Sequence, residues 1–261
     1  MTNPTLIITG ASRGIGRSIA LLAIQNLNAN VIGVARSQAA LQELSSHIET
    51  DLKLMDRFKF VVGDVTAEST AVEVVDVASK SWSGRLDGLV LNAGILEPLA
   101  PIAKTNVKDW KHNFDVNFIL NHYPRPARPP CPPRVYGPCN LWSALAPLSM
   151  LTMAGVAYCA SKAALKMFGE SLAKEEPEVT SVSIRPGVVD TEMQAVIRRE
   201  GVTGMVPSQH AQFVDLHTSK KLLHPDQPGH VIASLAVKAP SSISGKFFSW
   251  NDEELVAHQL P

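Results

Sequence analysis

Long apolar runs are what this 261-residue sequence most plainly lacks. No stretch reaches the roughly 18 consecutive apolar residues that a bilayer-spanning helix needs. The opening MTNPTLIITG has no basic region followed by an apolar core, so it reads as neither a secretory signal nor an anchor. Cysteine is scarce too: Cys131, Cys139 and Cys159 cannot all pair, and none stands at metal-ligand spacing with the eight histidines. That argues against a disulfide framework or a Cys/His metal module, and for reduced thiols in a cytoplasmic protein. Net charge is absent, because 24 basic and 24 acidic side chains cancel. A general electrostatic grip on nucleic acid or on an anionic membrane is therefore not expected. Internal repeats and low-complexity linkers are missing as well. A chain of this length can bury a full core, and one domain spanning residues 1–261 is the simplest account.

What is present is an alternation of short apolar runs and helix-like stretches. Residues 5–9 (TLIIT) form a brief apolar strand ending at a glycine. Over residues 15–27 the apolar positions Ile15, Ile19, Leu22 and Leu27 recur at helical spacing. Strands are then expected at 31–35 (VIGVA), 58–62 (FKFVV) and 86–91 (LDGLVL), with a helix over 37–49. Later come a helix around 157–174 and strands at 179–184 and 246–250. Strand, helix and strand in succession imply right-handed crossovers and a parallel sheet covered on both faces.

Residues 121–142 break this pattern. They read NHYPRPARPPCPPRVYGPCNLW, with seven prolines between Pro124 and Pro138. Proline neither donates to a sheet ladder nor continues a helix, so no regular element is expected there, although the alternation demands a central strand at about this place. A genuine Pro-rich insertion and a local reading-frame error both account for it. Apolar patterning stops near Asn121 and returns near Ser143, which favours the frame error.

Between the first strand and the first helix lies Thr9-Gly10-Ala11-Ser12-Arg13-Gly14-Ile15-Gly16. Its glycines allow a tight turn and close backbone approach, and the following helix aims free N–H groups and its positive end at the turn. After a strand and before a helix, such a loop suits the pyrophosphate of a dinucleotide. A cofactor with free ribose hydroxyls favours a carboxylate at the end of the second strand, but Arg36 stands there. With Arg13 in the glycine loop, two guanidinium groups suit a 2′-phosphate and select NADP(H). Downstream, Tyr158 and Lys162 in YCASK are four residues apart and share a helix face. A neighbouring ammonium should lower the phenol's pKa from about 10, making Tyr158 a proton donor to a carbonyl.

With these motifs in order, the sequence resembles the short-chain dehydrogenase/reductase family over nearly its whole length. The residues at 9–16 resemble the family's cofactor loop, including Gly10, Ser12, Arg13, Gly14, Ile15 and Gly16. Asp64 and Val65 resemble its adenine-contacting pair, and Asn92, Ala93 and Gly94 its turn after the fourth strand. Asn117, in FDVNF, matches an asparagine that holds a proton-relaying water near the lysine; Tyr158 and Lys162 match the YxxxK signature. Pro186, Gly187, Val189 and Thr191 resemble the segment that holds the nicotinamide amide. Within the family, GVARS, FVVGDVT, LNAGILEPL and FSWND give a look of fungal benzil-reductase-like enzymes, and more distantly of sepiapterin reductases.

The resemblance implies a single Rossmann-type, doubly wound parallel sheet with helices on both faces. It implies NADPH-dependent reduction of a ketone or diketone, in a homodimer or homotetramer, with residues 189–225 as a substrate lid. One position departs. The family's serine stands about 13 residues before the tyrosine, where this chain has Leu145; Ser143 takes the carbonyl-polarising role, with Ser149 a later candidate. An intact cofactor loop beside a disturbed serine strand also fits an NADP-binding, catalytically impaired paralogue acting as a binding or regulatory protein. His210, His217 and His224 recur every seven residues, but without further donors they suggest lid surface rather than a metal site. Trp82, Trp110 and Trp142 read as packing residues, and Met193 and Met205 as possible pocket lining.

Overall fold

The computed structural model describes residues 3–118 and 155–260, together with the backbone of 140–144. Strand β1 (Thr5–Thr9) is followed by α1 (Gly14–Leu27), β2 (Asn30–Ala35), α2 (Gln38–Ser46), β3 (Phe58–Val62), α3 (Glu68–Lys80) and β4 (Gly88–Leu91). Then come α4 (Val107–Asn117), β5 (Asn140–Ala144), α5 (Val156–Glu175), β6 (Thr180–Arg185), α6 (Glu192–Glu200), α7 (Pro207–Thr218), α8 (Asp226–Lys238) and β7 (Phe247–Ser249). All seven strands pair in parallel, in the order β3-β2-β1-β4-β5-β6-β7.

Every residue of β1 and β2 is buried, as expected of parallel strands covered on both faces. Their side chains divide by strand alternation. Leu6 and Ile8 pack with Ile19 and Ile24 of α1, Leu41 and Leu44 of α2, and Val231 and Leu235 of α8. Ile7 instead joins Ile32, Val61 and Val74 of α3 on the opposite face, while Leu91 and Leu165 of α5 meet further along. Helices on both faces of one parallel sheet make the doubly wound arrangement. Strand order reverses between β1 and β4, and the crevice outside their carboxyl ends is where such sheets bind ligands.

The expected absence of regular structure over 121–142 is corrected at its end. Asn140, Leu141 and Trp142 open β5, which pairs with β4 and β6. The reason is local: the prolines end at Pro138, and from there the backbone has N–H groups to give to the ladder. Ser143 stands in this strand, opposite Leu91 on one side and Ser183 on the other. Residues 119–139, and Leu145 and Ser149 with them, lie outside the described residues. Among the described residues no helix is long and apolar enough to cross a membrane.

Candidate active site

The glycine loop leaves β1 through Gly10, at φ +70°, and enters α1 through Gly14, at φ +54°, both in the left-handed region. At Gly16 the constraint is space: a Cβ there would lie 2.2 Å from the Gly10 carbonyl oxygen. Arg13 precedes α1 in an extended conformation, no side chain caps the helix, and its first turn holds no acidic residue. The positive end of α1 therefore faces the crevice uncovered. The turn after β4 is fastened to this loop by side chains. Thr9 Oγ1 accepts from the Asn92 and Ala93 amides, both at 3.0 Å, and Asn92 Nδ2 donates to the Thr9 carbonyl at 2.9 Å. A cradle that side chains would fill, set against a bare helix terminus, fits a pyrophosphate.

The loop opens into a cavity of about 990 Å³, toward the upper end of roughly 300–1,000 Å³ common for ligand sites. Ser12, Arg13, Ile15, Arg36, Asp64, Val65 and Gly94 line it, so the cofactor candidates read from the sequence do converge. Arg13 and Arg36 are exposed, and neither makes an ion pair or hydrogen bond among the described residues. Asp64 accepts from the Thr66 amide at 2.8 Å. Its burial favours the neutral acid, but the bonds from Thr66 and the charges of Arg36 and His112 outweigh it and hold the carboxyl below its usual range.

Tyr158 and Lys162 sit one turn apart in the first half of α5, 4% and 3% exposed, and both line the cavity. The ammonium lies 5.8 Å from the phenol ring centroid. The expected depression of the tyrosine pKa is not what this geometry produces. Burial pushes the phenol above its usual value, with the Cys159 thiol adding to it, and pushes Lys162 down to about 8. Both groups are desolvated, and at this separation the cation does not offset the loss of water around the phenol.

Asn117, the last residue of α4, is fully buried. Its Oδ1 accepts from the Ile95 amide at 2.8 Å, while Nδ2 faces the Ile95 carbonyl at 2.9 Å, Asn113 Oδ1 at 3.0 Å and Ser161 Oγ at 3.2 Å. The side chain thus fixes the backbone after Gly94 against α5. A Cβ on Gly94 would stand 3.1 Å from Asn117 Oδ1 and 3.4 Å from Lys162 Nζ, so this glycine brings turn, asparagine and lysine together.

Pro186, Gly187, Val189 and Thr191 reach the cavity from beyond β6. Gly187 has φ +80°, and Val188 to Asp190 are clamped to Leu223 by a parallel bridge and two backbone bonds of 2.9 and 3.0 Å. From Thr191 the chain enters α6 and α7, which close the cavity by apolar contact. Leu96, Tyr158, Ile197, Met205 and Phe213 form one buried cluster. Met193 lines the cavity; Met205 is buried in the cluster behind it. Sequence reasoning missed Leu96, Glu97, His112, Gln194, Ile197 and Phe213, all of which line the cavity. Spacing along α6 hints at Ile197, but nothing in the sequence marks the others.

His210 and His217 lie on α7 and His224 beyond it; His210 Nε2 meets the Arg198 carbonyl at 2.9 Å. Among the described residues no three His, Cys, Asp or Glu side chains gather as a metal site. Trp82 donates to the Asp56 carbonyl at 3.0 Å and Trp110 stacks on Phe114, while the Trp142 side chain lies outside the described residues.

Comparison with known proteins agrees with this arrangement. The short chain dehydrogenase family profile matches residues 4–119 and 148–201. An uncharacterized oxidoreductase of Saccharomyces cerevisiae, YIR035C, is 37% identical over 253 residues, covering 96% of each chain. Its crystal structure superposes with a TM-score of 0.87 at 33% identity, over 99% of this chain and 100% of that one. The benzil reductase ((S)-benzoin forming) IRC24 of the same yeast is 36% identical over 273 residues, covering 96% of this chain and 97% of the relative. An NADPH-dependent pterin aldehyde reductase of Arabidopsis thaliana is 30% identical over 196 residues, covering 72% of this chain and 76% of the relative. The glycine cradle, the buried tyrosine–lysine pair and these relatives together make the chain an oxidoreductase of the short-chain dehydrogenase family.

Proposed function

We propose that this chain is an NADPH-dependent carbonyl reductase that turns a ketone or diketone into an alcohol, with Tyr158 as proton donor. The observation that carries the reading is that Tyr158 and Lys162 are buried side by side on the wall of the cavity that the glycine loop opens into. The benzil reductase and the pterin aldehyde reductase among its relatives support the reaction class.

Gly10, Gly14, Ile15 and Gly16 would hold the pyrophosphate, and Arg13 and Arg36 the 2′-phosphate. Asp64 and Val65 would border the adenine, Asn92, Ala93 and Gly94 the ribose side, and Pro186, Gly187, Val189 and Thr191 the nicotinamide amide. When bound, NADPH supplies the hydride that arrives at the carbonyl carbon. Tyr158 gives its phenolic proton to the carbonyl oxygen, and Lys162, cationic below pH of about 8, steadies the charge left on the phenol oxygen. Asn117 holds Gly94 and α5 in register, and its place beside Lys162 suits support of a proton-relaying water. Ser143, on β5 beside β4, is the proposed carbonyl-polarising residue. Residues 1–261 act as one domain, in the cytoplasm, as a homodimer or homotetramer.

The test is NADPH oxidation in the presence of benzil and other carbonyl compounds. Turnover is expected, and Tyr158→Phe should lower kcat by roughly 10²–10⁴-fold while NADPH affinity stays unchanged. Tight NADPH binding with no turnover across a broad carbonyl panel would sink the reading and favour a cofactor-binding protein without catalysis.

A further inference from the structure

Where α4 packs on α5, three polar side chains are fully buried together: Asn113 and Asn117 on α4, and Ser161 on α5. Polar groups withdrawn from water in one place hold a structure only if each finds a partner. Their bonding can be followed atom by atom. Ser161 Oγ donates to the Tyr158 carbonyl at 2.9 Å, which leaves its oxygen to accept from Asn117 Nδ2 at 3.2 Å. Asn113 Oδ1 accepts from the same nitrogen at 3.0 Å. Asn113 Nδ2 faces the Glu97 carbonyl at 2.7 Å and the Ile95 carbonyl at 3.3 Å. The reverse orientation of Asn113 would set its oxygen against two carbonyl oxygens, so the carboxamide is fixed.

Asn117 by itself holds Ile95. Asn113, one turn earlier, adds the Glu97 carbonyl, so the backbone on either side of Leu96 is pinned to α4. Leu96 is 2% exposed and belongs to the buried cluster that contains Tyr158. Just before Ile95 stands Gly94, where the turn, Asn117 and Lys162 come together. Released from Asn113, this connection is free to slide and to let water in beside a phenol that burial now holds above its usual range.

We infer that Asn113 is a positioning residue for the proton donor. Through the Ile95 and Glu97 carbonyls it holds Leu96 in the apolar cluster around Tyr158. Through Asn117 and Ser161 it joins that cluster to the turn of α5 that carries Tyr158 and Lys162. The inference rests on the carbonyl-reductase reading above, because it gives Asn113 a part in the proton transfer assigned there to Tyr158.

Asn113→Leu keeps the branching of the carboxamide but offers neither donor nor acceptor. It should lose roughly 10–10²-fold in kcat while NADPH affinity stays within about twofold. Ultraviolet titration supplies a readout that needs no turnover: Asn113→Leu should ionise one more phenol near a pH of about 10 than the wild type does, and adding Tyr158→Phe should remove it. Should the leucine variant fail to fold, Asn113→Asp decides. Its neutral acid can donate to the Glu97 carbonyl and accept from Asn117, but its carboxylate sets oxygen against that carbonyl. Relative to the wild type, its kcat should fall reversibly as pH rises and the carboxyl ionises. An unchanged phenol titration or kcat in a folded Asn113→Leu, or an Asn113→Asp that tracks the wild type at every pH, would overturn the inference alone. No turnover of any carbonyl by the wild type would overturn the reductase reading and this inference with it.

Discussion

On the glycine-loop wall of the cavity, the Thr9 and Asn92 side chains join two strand ends through five hydrogen bonds, all with backbone amides or carbonyls and three of them at 2.9–3.0 Å. The α6–α7 wall rests mainly on a buried cluster of Leu96, Tyr158, Ile197, Met205 and Phe213, with fewer directional ties: the Val189–Leu223 bridge and its two backbone bonds, Gln194 to the Phe213 carbonyl, and His210 to the Arg198 carbonyl. Directional bonds between backbone segments fix a position to within a fraction of an ångström. Apolar contacts are indifferent to small slides, because burial depends on area rather than angle. A ligand portion that never changes calls for the first kind of wall, and a portion that differs between relatives calls for the second.

The largest effect should come from breaking the rigid wall. Gly16→Ala places a methyl group against the Gly10 carbonyl, where backbone cannot give way cheaply. NADPH affinity is expected to fall by about 10²-fold or more, or the chain to fail to fold, as cofactor titration and a thermal melt will show. On the soft wall, Phe213→Ala removes a ring that is 3% exposed. The loss is expected to reach about 3 kcal/mol but to appear as local opening of α6 and α7, so that KM for the carbonyl rises while NADPH affinity holds. Equal damage to both constants would show that the walls are not mechanically separate.

A third effect, of about 3 kcal/mol at most, belongs to the α5 pair that both walls share, since Lys162 is drawn from 10.5 to about 8 by burial. Below pH 8 folded and unfolded chains both carry this proton, and the folded chain bears the cost of burying it. Between pH 8 and 10 the unfolded chain keeps a proton the folded one has released, so this group makes stability rise with pH. Above pH of about 10 the Tyr158 phenol, pushed up by burial, works in the opposite direction. Urea unfolding across this range should therefore show Lys162→Met more stable than wild type at pH 7 and lacking the rise between pH 8 and 10. The smallest effect is at the rim. Arg36→Ala should cut the preference for NADPH over NADH about tenfold with little change in melting temperature, measured as a ratio of dissociation constants.

The same division explains what could be read from the sequence. β1 and β3 run over the expected residues 5–9 and 58–62, because short apolar runs ended by glycine or a turn leave few alternatives. The cradle residues were legible because their chemistry needs fixed types at fixed spacing: glycine where φ is positive, asparagine where two carbonyls must be reached. Helix α3, ESTAVEVVDVASK, was harder to see, since its buried face consists of Thr70, Ala71, Val74 and Ala78, small residues that score weakly as apolar. The α6–α7 wall was less legible still. Ile197, Met205 and Phe213 meet Leu96 and Tyr158 only through the fold, and any residue of similar bulk would serve. β5 was obscured by the prolines ahead of it, although its own residues, NLWSA, contain none. The state of the Tyr158 phenol could not be read from spacing, because burial, not the lysine four residues on, decides its direction.

The Asn117 carboxamide presents one oxygen and one nitrogen to the same residue, meeting both the amide and the carbonyl of Ile95. That is what a neighbouring strand would do, so α4 in effect lends the sheet one more rung beyond the end of β4. Ile95 lies in a connection beyond the end of β4 but bonds as a strand residue would, and its amide should exchange with deuterium as slowly as those of the strand before it. The same rung sits beside Gly94 and Lys162. The lysine therefore inherits the stiffness of the sheet, four residues past the point where the strand ends.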